Sequence, residues 1–327
     1  MYSAAYFPLN KINRWFRLWA VKRPKIVVIV GPTASGKSTV GLELARFFKA
    51  EIINADSMQV YRYLDIGTAK PTREERNVVR HHLIDIFYPD EEFSAAHYRE
   101  EAQRAIADIE ARGKRAMVVG GTGLYIKALT SGLIRGGEAD PVIQKRLQDE
   151  AQAGGRERLY QRLVEVDPST AARLHPHDTY RVIRALEAYE RTGQPISALR
   201  GRHRFKEGPY ETLKIGLGME REELYRRIDE RVDEMIQQGL KEEVGRLLEM
   251  GYAPSLKAMQ SLGYKQMAAH LNGEYDLPEA IRLIKRDTRR YARRQITWFK
   301  ADPEIHWIEY PRDRSVVKEM IEGFWRN

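Results

Sequence analysis

Lys25-Ile-Val-Val-Ile-Val30 runs directly into Gly31-Pro-Thr-Ala-Ser-Gly-Lys-Ser38. The first six residues are typical of a fully buried strand, and the next eight match the phosphate-binding pattern GxxxxGK[ST]. A helix is predicted from Gly36 to Lys49, so the loop opens a helix whose N-terminal amides and dipole favour an anion. Loops of this kind are typical of nucleotide-binding and ATP-binding proteins, and this one predicts a di- or triphosphate ligand.

Each residue of this P-loop is a candidate contact for the phosphates. Lys37 adds a positive charge, and the hydroxyl of Ser38 or Thr39 is a candidate ligand for Mg²⁺, which prefers hard oxygen donors. The predicted phosphate cradle comprises Gly31, Pro32, Thr33, Ala34, Ser35, Gly36, Lys37, Ser38 and Thr39.

Strand and helix patterns alternate after the P-loop. Strands are predicted at residues 51–54, 82–87 and 115–119, and a helix is predicted from Ser94, its N-cap, to Arg112. This alternation is typical of a parallel sheet covered on both faces. We therefore expect an α/β fold, with a P-loop NTPase-like parallel sheet flanked by helices and an inserted all-helical subdomain.

The inserted subdomain is indicated by a change in the predicted secondary structure along the chain. Only helical patterns occur between residues 140 and 200, and strand character returns at 212–218 before further helices begin at 221. The predicted organisation is a basic extension at 1–24, a P-loop core at 25–132, a helical insertion at 133–205, and the second part of the core with a helical C-terminal region at 206–327. The extension is read either as a disordered segment or as a basic amphipathic helix that touches membrane or RNA.

Composition narrows the function. The 327 residues are 43% hydrophobic and carry a net charge of +9, which favours partners such as nucleic acid, phosphorylated ligands or anionic membranes. The chain has no cysteine, which excludes disulfides, thiolate zinc sites and cysteine nucleophiles and suits a reducing cytoplasm. No apolar run reaches the roughly 18 residues of a membrane span. We expect a soluble cytoplasmic protein.

The acid that P-loop NTPases place after a second buried strand is missing. The strand at 115–119 ends in Gly120-Gly121-Thr122, without a carboxylate. The nearest acid after a predicted strand is Asp56, which follows the P-loop helix so closely that it is expected near a substrate. This weakens an ATPase interpretation.

Several long segments together resemble one family, the tRNA dimethylallyltransferases of bacterial type. The similarity extends over roughly residues 25–300, and P-loop kinases do not share its most distinctive segment, which contains DSMQVY and DIGTAKP. The matching segments are GPTASGKST at 31–39, NADSMQVYRYLDIGTAKP at 54–71, VGGTGLYIKAL at 119–129, RVIRALEAYERTG at 181–193, LYRRIDERVDEMIQQGL at 224–240, QSLGYKQM at 260–267 and YARRQITWFK at 291–300.

The resemblance implies transfer of a dimethylallyl group from dimethylallyl diphosphate to the exocyclic amine of an adenosine. That adenosine lies just 3′ of the anticodon in tRNAs that read codons beginning with U, and the P-loop holds the donor diphosphate. Asp56 corresponds to the general base and Thr122 to a residue that orients the adenine and the amine. Lys37 and Arg231, helped by Mg²⁺, stabilise the departing diphosphate, and Arg227 is a second candidate.

The resemblance also implies contacts with the anticodon stem-loop of tRNA. Asp56-Ser57-Met58-Gln59 and Thr122 are expected to hold the reacting adenine, and Tyr264 is the best candidate for a further side-chain contact. Gln144 stands where many relatives have arginine. The remaining implied contacts are Tyr180, Arg181, Val182, Ile183 and Arg184 in one segment, and Gln260, Ser261, Leu262, Gly263, Tyr264 and Lys265 in another. We expect a monomer that binds tRNA and no membrane.

A predicted helix at 278–300 gives an argument that is independent of the family. Six arginines between Arg282 and Arg294 fall within about a 140° arc of this helix, without an acid among them. We interpret the face as a phosphate-binding surface in which Arg286, Arg289 and Arg293 contact tRNA. The alternative is a solvated face, or one paired with acids elsewhere in the fold.

Two other functions remain open on the sequence. A P-loop kinase of small metabolites or nucleotides explains the P-loop and the α/β pattern, but it leaves the Asp56 segment and the arginine face without a role. A non-catalytic RNA-binding protein explains the basic charge, but not the intact set of Lys37, Asp56 and Thr122.

Overall fold

A computed structural model describes residues 23–133, 140–202 and 208–326. Within these residues one sheet is formed in the order β3-β2-β4-β1-β5-β6, and every neighbouring pair is parallel. The strands are β1 (Lys25–Val30), β2 (Ala50–Asn54), β3 (His81–His82), β4 (Arg115–Gly120), β5 (Glu211–Leu217) and β6 (Ile305–Ile308).

Helices cover both faces of the sheet and extend beyond it. A π-type turn at Ala151–Gly155 joins α5 to α6. The helices of the described residues are α1 (Lys37–Phe48), α2 (Arg73–Val78), α3 (Ala95–Ala111), α4 (Gly123–Ser131), α5 (Pro141–Glu150), α6 (Arg156–Val166), α7 (Pro168–Ala171), α8 (Thr179–Thr192), α9 (Ile196–Arg202), α10 (Arg221–Gln237), α11 (Leu240–Glu249), α12 (Tyr264–Leu271), α13 (Leu277–Lys300) and α14 (Arg314–Arg326).

The central strand β1 is buried on both faces because its side chains alternate between two hydrophobic clusters. Ile26 and Val28 face a cluster that includes side chains of α3, α4, α11 and α12. Val27 and Ile29 face the other cluster, which contains side chains of α1 and α14. A strand in this position needs apolar residues at consecutive positions, and this is why a short β-branched run was sufficient to predict it.

The α/β class and most predicted elements are confirmed by the structure. β1, β2, β4 and β5 lie where strands were expected, and α3 begins after Ser94, whose side chain accepts from the N–H of His97 at 3.2 Å. The predicted strand at 82–87 is wrong beyond its first residue. Leu83 and Asp85 have φ values of 64° and 57°, so the chain cannot continue as a strand there. β6 was not predicted.

The helical block between residues 140 and 202 has a hydrophobic cluster of its own. Side chains from α5, α6 and α8, among them Leu147, Leu163 and Leu186, form this cluster. The boundaries predicted for this insertion stay a prediction, and the basic extension at 1–24 lies outside the described residues except for its last two. Among the described helices, none is both long and apolar enough to cross a membrane.

Candidate active site

The loops that follow β1, β2 and β4 meet at one edge of the sheet. Because the three strands are parallel, their carboxyl ends bring together the P-loop, the loop of Asp56 and the loop of Thr122. The sequence positions of these loops are far apart, but the strand order β2-β4-β1 makes them neighbours. This edge is where the ligand site of an open parallel sheet is expected.

Backbone contacts fix the loops of Asp56 and Thr122 against each other. Ala55 N–H donates to the Val119 carbonyl at 2.8 Å, and Thr122 N–H donates to the Ala55 carbonyl at 3.1 Å. Thr122 Oγ1 also accepts from Ser57 N–H at 3.1 Å. A Cβ at Gly120 would lie 2.2 Å from the Ala55 carbonyl oxygen, so only glycine permits this close approach.

Lys37 is a half-buried cation in the P-loop. Its Nζ donates to the Pro32 carbonyl at 3.2 Å. The pKa of Lys37 is lowered from 10.5 to about 8, chiefly by desolvation and also by the nearby charge of Arg231, while the carboxylate of Asp56 acts in the opposite direction. These electrostatic effects indicate that the three charged groups lie near one another.

Arg231 is the second half-buried cation of the site. Burial lowers the pKa of its guanidinium, and the charges of Asp56 and Glu234 oppose that shift. No carboxylate of the described residues lies within ion-pair distance of Lys37 or Arg231. Burying a cation without an anion is unfavourable, so this pair of charges favours an anionic ligand.

Arg227 approaches the P-loop from the same helix as Arg231. The two residues are four apart on α10 and share a face. The Arg227 Nη1 atom would be 3.9 Å from a Cβ at Gly36, and its Nε donates to Glu223 at 2.7 Å. Both arginines were predicted from the sequence as diphosphate contacts, and that role stays a prediction.

The carboxylate of Asp56 is held by one oxygen and available through the other. Oδ1 accepts from Met58 N–H at 2.8 Å and from Gln59 N–H at 3.4 Å. The backbone N–H of Asp56 donates to Asn54 Oδ1 at 3.2 Å. No hydrogen bond among the described residues uses Oδ2, so this oxygen can accept a proton from a substrate.

Gln295 of α13 connects the P-loop to the loop of Thr122. Its Oε1 accepts from Thr33 N–H at 2.8 Å, and its Nε2 donates to the Gly121 carbonyl at 2.9 Å. The side chain is 6% exposed. A Cβ at Gly121 would lie 2.3 Å from Nε2, so the contact requires glycine.

Tyr291, one turn before Gln295, also reaches the site. Burial and the nearby carboxylate of Asp56 raise the pKa of its hydroxyl, and the neighbouring side chains of Thr122 and Gln295 act in the opposite direction. Neither Gln295 nor Tyr291 was predicted as a site residue. The only signal in the sequence was their presence in the YARRQITWFK segment of the family resemblance.

A wide cleft of about 1,130 Å³ lies beside this site. Its wall includes residues of α4, α8 and α13, and it is strongly basic. The cationic side chains that line it are Lys127, Arg181, Lys214, Arg290, Arg293 and Arg294. Of the residues predicted to bind tRNA, Arg181 and Arg293 are therefore brought into one cleft although they belong to different elements.

Three residues predicted as tRNA contacts have side chains that are buried in the fold, and their contact with tRNA stays a prediction. Val182 and Ile183 lie in the core of the helical block. Tyr264 is 0% exposed and its hydroxyl donates to Glu243, while its ring packs against Gly67. The pattern of α8 explains the first two, because its apolar positions must face α5 and α6.

The side chain of Gln59 is also held by hydrogen bonds within the fold. Its Nε2 donates to the carbonyls of Thr68 and Ala69 at 3.1 and 3.2 Å, and the residue is 8% exposed. Other predicted contacts are accessible or half-buried. Tyr180 is 67% exposed, and the half-exposed set comprises Ser57, Met58, Gln144, Arg184, Ser261 and Leu262.

The segment before α12 contains the remaining predicted contacts. Gln260 Nε2 donates to the Pro254 carbonyl at 2.7 Å, and Ser261 Oγ donates to the Ala258 carbonyl at 2.5 Å. Gly263 is a buried N-cap with φ 88°, and Lys265 is exposed. Only Lys265 presents an uncommitted charged group there.

The arginine face of α13 is largely paired, which the sequence analysis gave as the alternative. Asp287, on the same helix, accepts from Arg286 at 2.9 Å and from Arg290 at 3.3 Å. Arg289 forms a two-point contact with Asp229 of α10. The expectation of a face without an acid is wrong because Asp287 lies at its edge, and Arg293 is left without a carboxylate partner among the described residues.

The parallel sheet flanked by helices has a P-loop NTPase-like fold, and a basic cleft lies beside its candidate site. A family model described as IPP transferase matches residues 59–302. The chain belongs to the IPP transferase family.

Relatives and solved structures agree with this assignment. A tRNA dimethylallyltransferase of Geobacter metallireducens is 55% identical, with 93% of this chain and 98% of the relative covered. A tRNA dimethylallyltransferase 2 of Geotalea uraniireducens is 56% identical, with 92% and 97% covered.

Among solved structures, a tRNA isopentenylpyrophosphate transferase of Bacillus halodurans is 40% identical with a TM-score of 0.67, over 92% of this chain and 96% of that one. A eukaryotic dimethylallyltransferase acting on tRNA is 31% identical with a TM-score of 0.75, over 88% and 74%. The predicted family resemblance is confirmed.

Proposed function

We propose that this chain transfers the dimethylallyl group of dimethylallyl diphosphate to the exocyclic amine of an adenosine in tRNA, releasing diphosphate. The adenosine is the one 3′-adjacent to the anticodon in tRNAs that read codons beginning with U. One observation carries the proposal: two half-buried cations, Lys37 and Arg231, lie near the carboxylate of Asp56 and form no ion pair with any of the described residues. An anionic leaving group and a proton donor fit that arrangement.

The chemistry divides between these groups. The amine nitrogen forms a bond to the first carbon of the dimethylallyl group, and the bond from that carbon to oxygen breaks with its electron pair going to diphosphate. The proton released by the amine goes to Asp56 Oδ2, since Oδ1 is occupied by two backbone N–H groups. Lys37 and Arg231 stabilise the charge that develops on the diphosphate.

The P-loop is suited to hold the donor. Ser35 Oγ is buried in the loop without a hydrogen-bond partner among the described residues, so a phosphate oxygen would satisfy it. Arg227 borders the loop at Gly36 and adds a further charge. Backbone N–H groups of the loop supply further donors, except at Pro32, which has none, and at Thr33, whose N–H donates to Gln295 Oε1.

Magnesium fits the donor set that the loop offers. The Ser38 hydroxyl is exposed beside Lys37 at the start of α1. Mg²⁺ often takes few protein ligands and completes its coordination with phosphate oxygens and water. Ser38 would hold the ion against the donor diphosphate, where it supplies charge neutralisation when bound.

The acceptor adenosine has to leave the anticodon loop to reach Asp56. Enzymes that act on a base remove it from its stack, and single-stranded loops are the usual target in RNA. The basic cleft beside the loop of Thr122 is suited to the phosphates of the anticodon stem-loop, with Arg181 and Arg293 among its lining residues. One tRNA on a monomer satisfies this arrangement.

The test is transfer of a labelled dimethylallyl group from the diphosphate to unmodified tRNA, with mass spectrometry of the digested RNA to locate the label. We expect label on the adenosine 3′ of the anticodon in tRNAs that read U-starting codons. Label on no nucleotide contradicts the proposal.

A small-molecule kinase is the second candidate, and ligand stabilisation separates the two. A thio-analogue of dimethylallyl diphosphate should raise the melting temperature of a transferase. Stabilisation by ATP together with phosphoryl transfer from ATP would favour the kinase instead.

A further inference from the structure

Trp298 places a flat aromatic surface immediately beside the loop of Thr122. The residue is 46% exposed although it lies near the C-terminal end of a well-packed helix. A Cβ at Gly123 would lie 2.2 Å from both Cδ1 and Nε1 of the indole. The ring therefore lies against the backbone of Gly123, the first residue of α4, and its position relative to Thr122 is fixed.

The exposed surroundings of this ring are cationic. Trp298 lines the 1,130 Å³ cleft, where its exposed neighbours include Lys127, Arg293 and Arg294. The apolar residues of the cleft wall, such as Ile126 and Phe299, are buried at 5% and 2% exposure.

The acids that line the same cleft do not cancel this charge. Asp302 and Glu304 both accept from Lys214, at 2.7 and 2.8 Å. An exposed indole among guanidinium groups suits a flat, neutral ring that carries a phosphate on either side. A protein side chain seated there would instead need apolar neighbours that are themselves exposed.

We propose that Trp298 is the stacking platform for an unpaired nucleobase of the anticodon loop, next to the reacting adenosine. This inference rests on the proposed function, since it takes tRNA as the ligand of the cleft. Stacking on an aromatic side chain tolerates any base, while the neighbouring arginines bind the phosphates. The indole stacks on a base next to the reacting adenosine. This contact stabilises the anticodon loop in the conformation in which the adenosine is extruded into the site.

The experiment compares Trp298→Leu with Trp307→Leu in binding and transfer to an anticodon stem-loop RNA. Trp307 is the matched control, because it is 37% exposed but lies on β6 outside the cleft. Loss of one base stack should weaken RNA binding by Trp298→Leu roughly 5- to 150-fold. Trp307→Leu should bind as the parent does, and the donor thio-analogue should stabilise the parent and both variants equally.

A series of stem-loops, each with one abasic loop nucleotide, identifies the stacked base. At one position, loss of the base should weaken binding to the parent but not to Trp298→Leu, because the partner of that base is already absent. Equal affinity of the parent and Trp298→Leu, or additive losses at every position, overturns the inference.

Two further measurements keep the outcome clear. If Trp298→Leu does not fold, Trp298→Phe takes its place: RNA should quench tryptophan emission of the parent more than that of Trp298→Phe, and equal quenching overturns the inference. The proposed function fails separately, if the parent binds the stem-loop but transfers no dimethylallyl group to it.

Discussion

Gln295 Oε1 accepts a hydrogen bond from the backbone N–H of Thr33 at 2.8 Å, while its Nε2 holds the loop that carries Thr122 through the Gly121 carbonyl. One side chain thus fixes the distance between the phosphate cradle and the residues proposed to orient the acceptor. Because both ends of the amide are used, its donor and its acceptor have different partners. A carboxylate cannot replace it.

Gln295→Glu should lower turnover strongly. Glutamate keeps the size of the side chain, but it places a negative oxygen against the Gly121 carbonyl and separates the two loops. A displacement of about 1 Å at a reacting centre can lower the rate by about 10²-fold. Steady-state kinetics should show the loss mainly in kcat, and Gln161→Glu on the exposed face of α6 is the control that should behave as the parent. A change confined to KM for one substrate would argue against a spacing role.

Asp56→Asn separates proton acceptance from the folding of its loop. The amide can still accept from Met58 and Gln59 N–H groups through its oxygen, but it no longer offers a carboxylate oxygen for the proton of the amine. We expect transfer to fall by about 10²- to 10⁴-fold with donor affinity almost unchanged. Single-turnover transfer and thermal shift with the donor analogue measure the two quantities, and transfer at the parent rate would rule out Asp56 as the base.

Lys37→Met should make the ligand-free protein more stable and inactive. Lowering the pKa from 10.5 to about 8 corresponds to about 3 kcal/mol of unfavourable free energy for this half-buried charge at neutral pH. Methionine has a similar length and removes that charge, at the expense of one hydrogen bond to Pro32. We expect a higher melting temperature without donor, and loss of both transfer and stabilisation by the donor. A lower melting temperature would show that the charge is not the destabilising element.

Donor binding should take up a proton above pH 8. Below pH 8 Lys37 is charged with or without donor, whereas between pH 8 and 10.5 the ligand-free site has lost a proton that bound diphosphate restores. Apparent donor affinity should therefore fall by up to about tenfold per pH unit above pH 8. In the same window the unfolded chain holds the proton that the folded chain has released, so Lys37 contributes stability that rises with pH. Calorimetry in buffers of different ionisation enthalpy measures the uptake, and an equal enthalpy in all buffers would contradict it.

The arginines of α13 should divide into two groups. Arg293, which has no carboxylate partner among the described residues, should contribute to tRNA binding, and Arg293→Gln should reduce the log–log salt slope by roughly 0.7 to 0.9. Arg289→Gln breaks the contact with Asp229 and should mainly lower the melting temperature. Titrations of tRNA at several salt concentrations test the division. A slope that changes equally in the two variants would mean that Asp229 does not hold Arg289 away from RNA.

The parts of the fold that the sequence predicted are those set by neighbouring residues. The run at 25–30 and the P-loop after it determine a strand, a turn and a helix locally, and the alternation of patterns determines a parallel sheet. The failure at Leu83 and Asp85 has a long-range cause, since Asp85 pairs with Lys70 and Arg76 and the chain turns with positive φ there. Local β-propensity carries no information about those partners.

In the candidate site, too, residues within continuous motifs could be predicted from the sequence, whereas residues brought in from distant elements could not. Lys37 and Asp56 belong to continuous motifs and were predicted, whereas Gln295 and Tyr291 enter from a helix that no spacing rule connects to the P-loop. Tyr264 shows the reverse case: it was predicted to contact RNA, but its side chain is buried and its hydroxyl donates to Glu243. Only the packing of α11 against α12 reveals that pairing.

The contact between Thr33 and Gln295 joins residues 262 positions apart. At a synthesis rate of about 5–20 residues per second, the P-loop leaves the ribosome roughly 15 to 50 s before its partner exists. β1 and α1 can pair with β4 during that interval, but the two substrate loops are not yet held at a fixed distance. A nascent chain shorter than about 295 residues therefore has a phosphate cradle without the side chain that positions it, and activity is acquired late in translation.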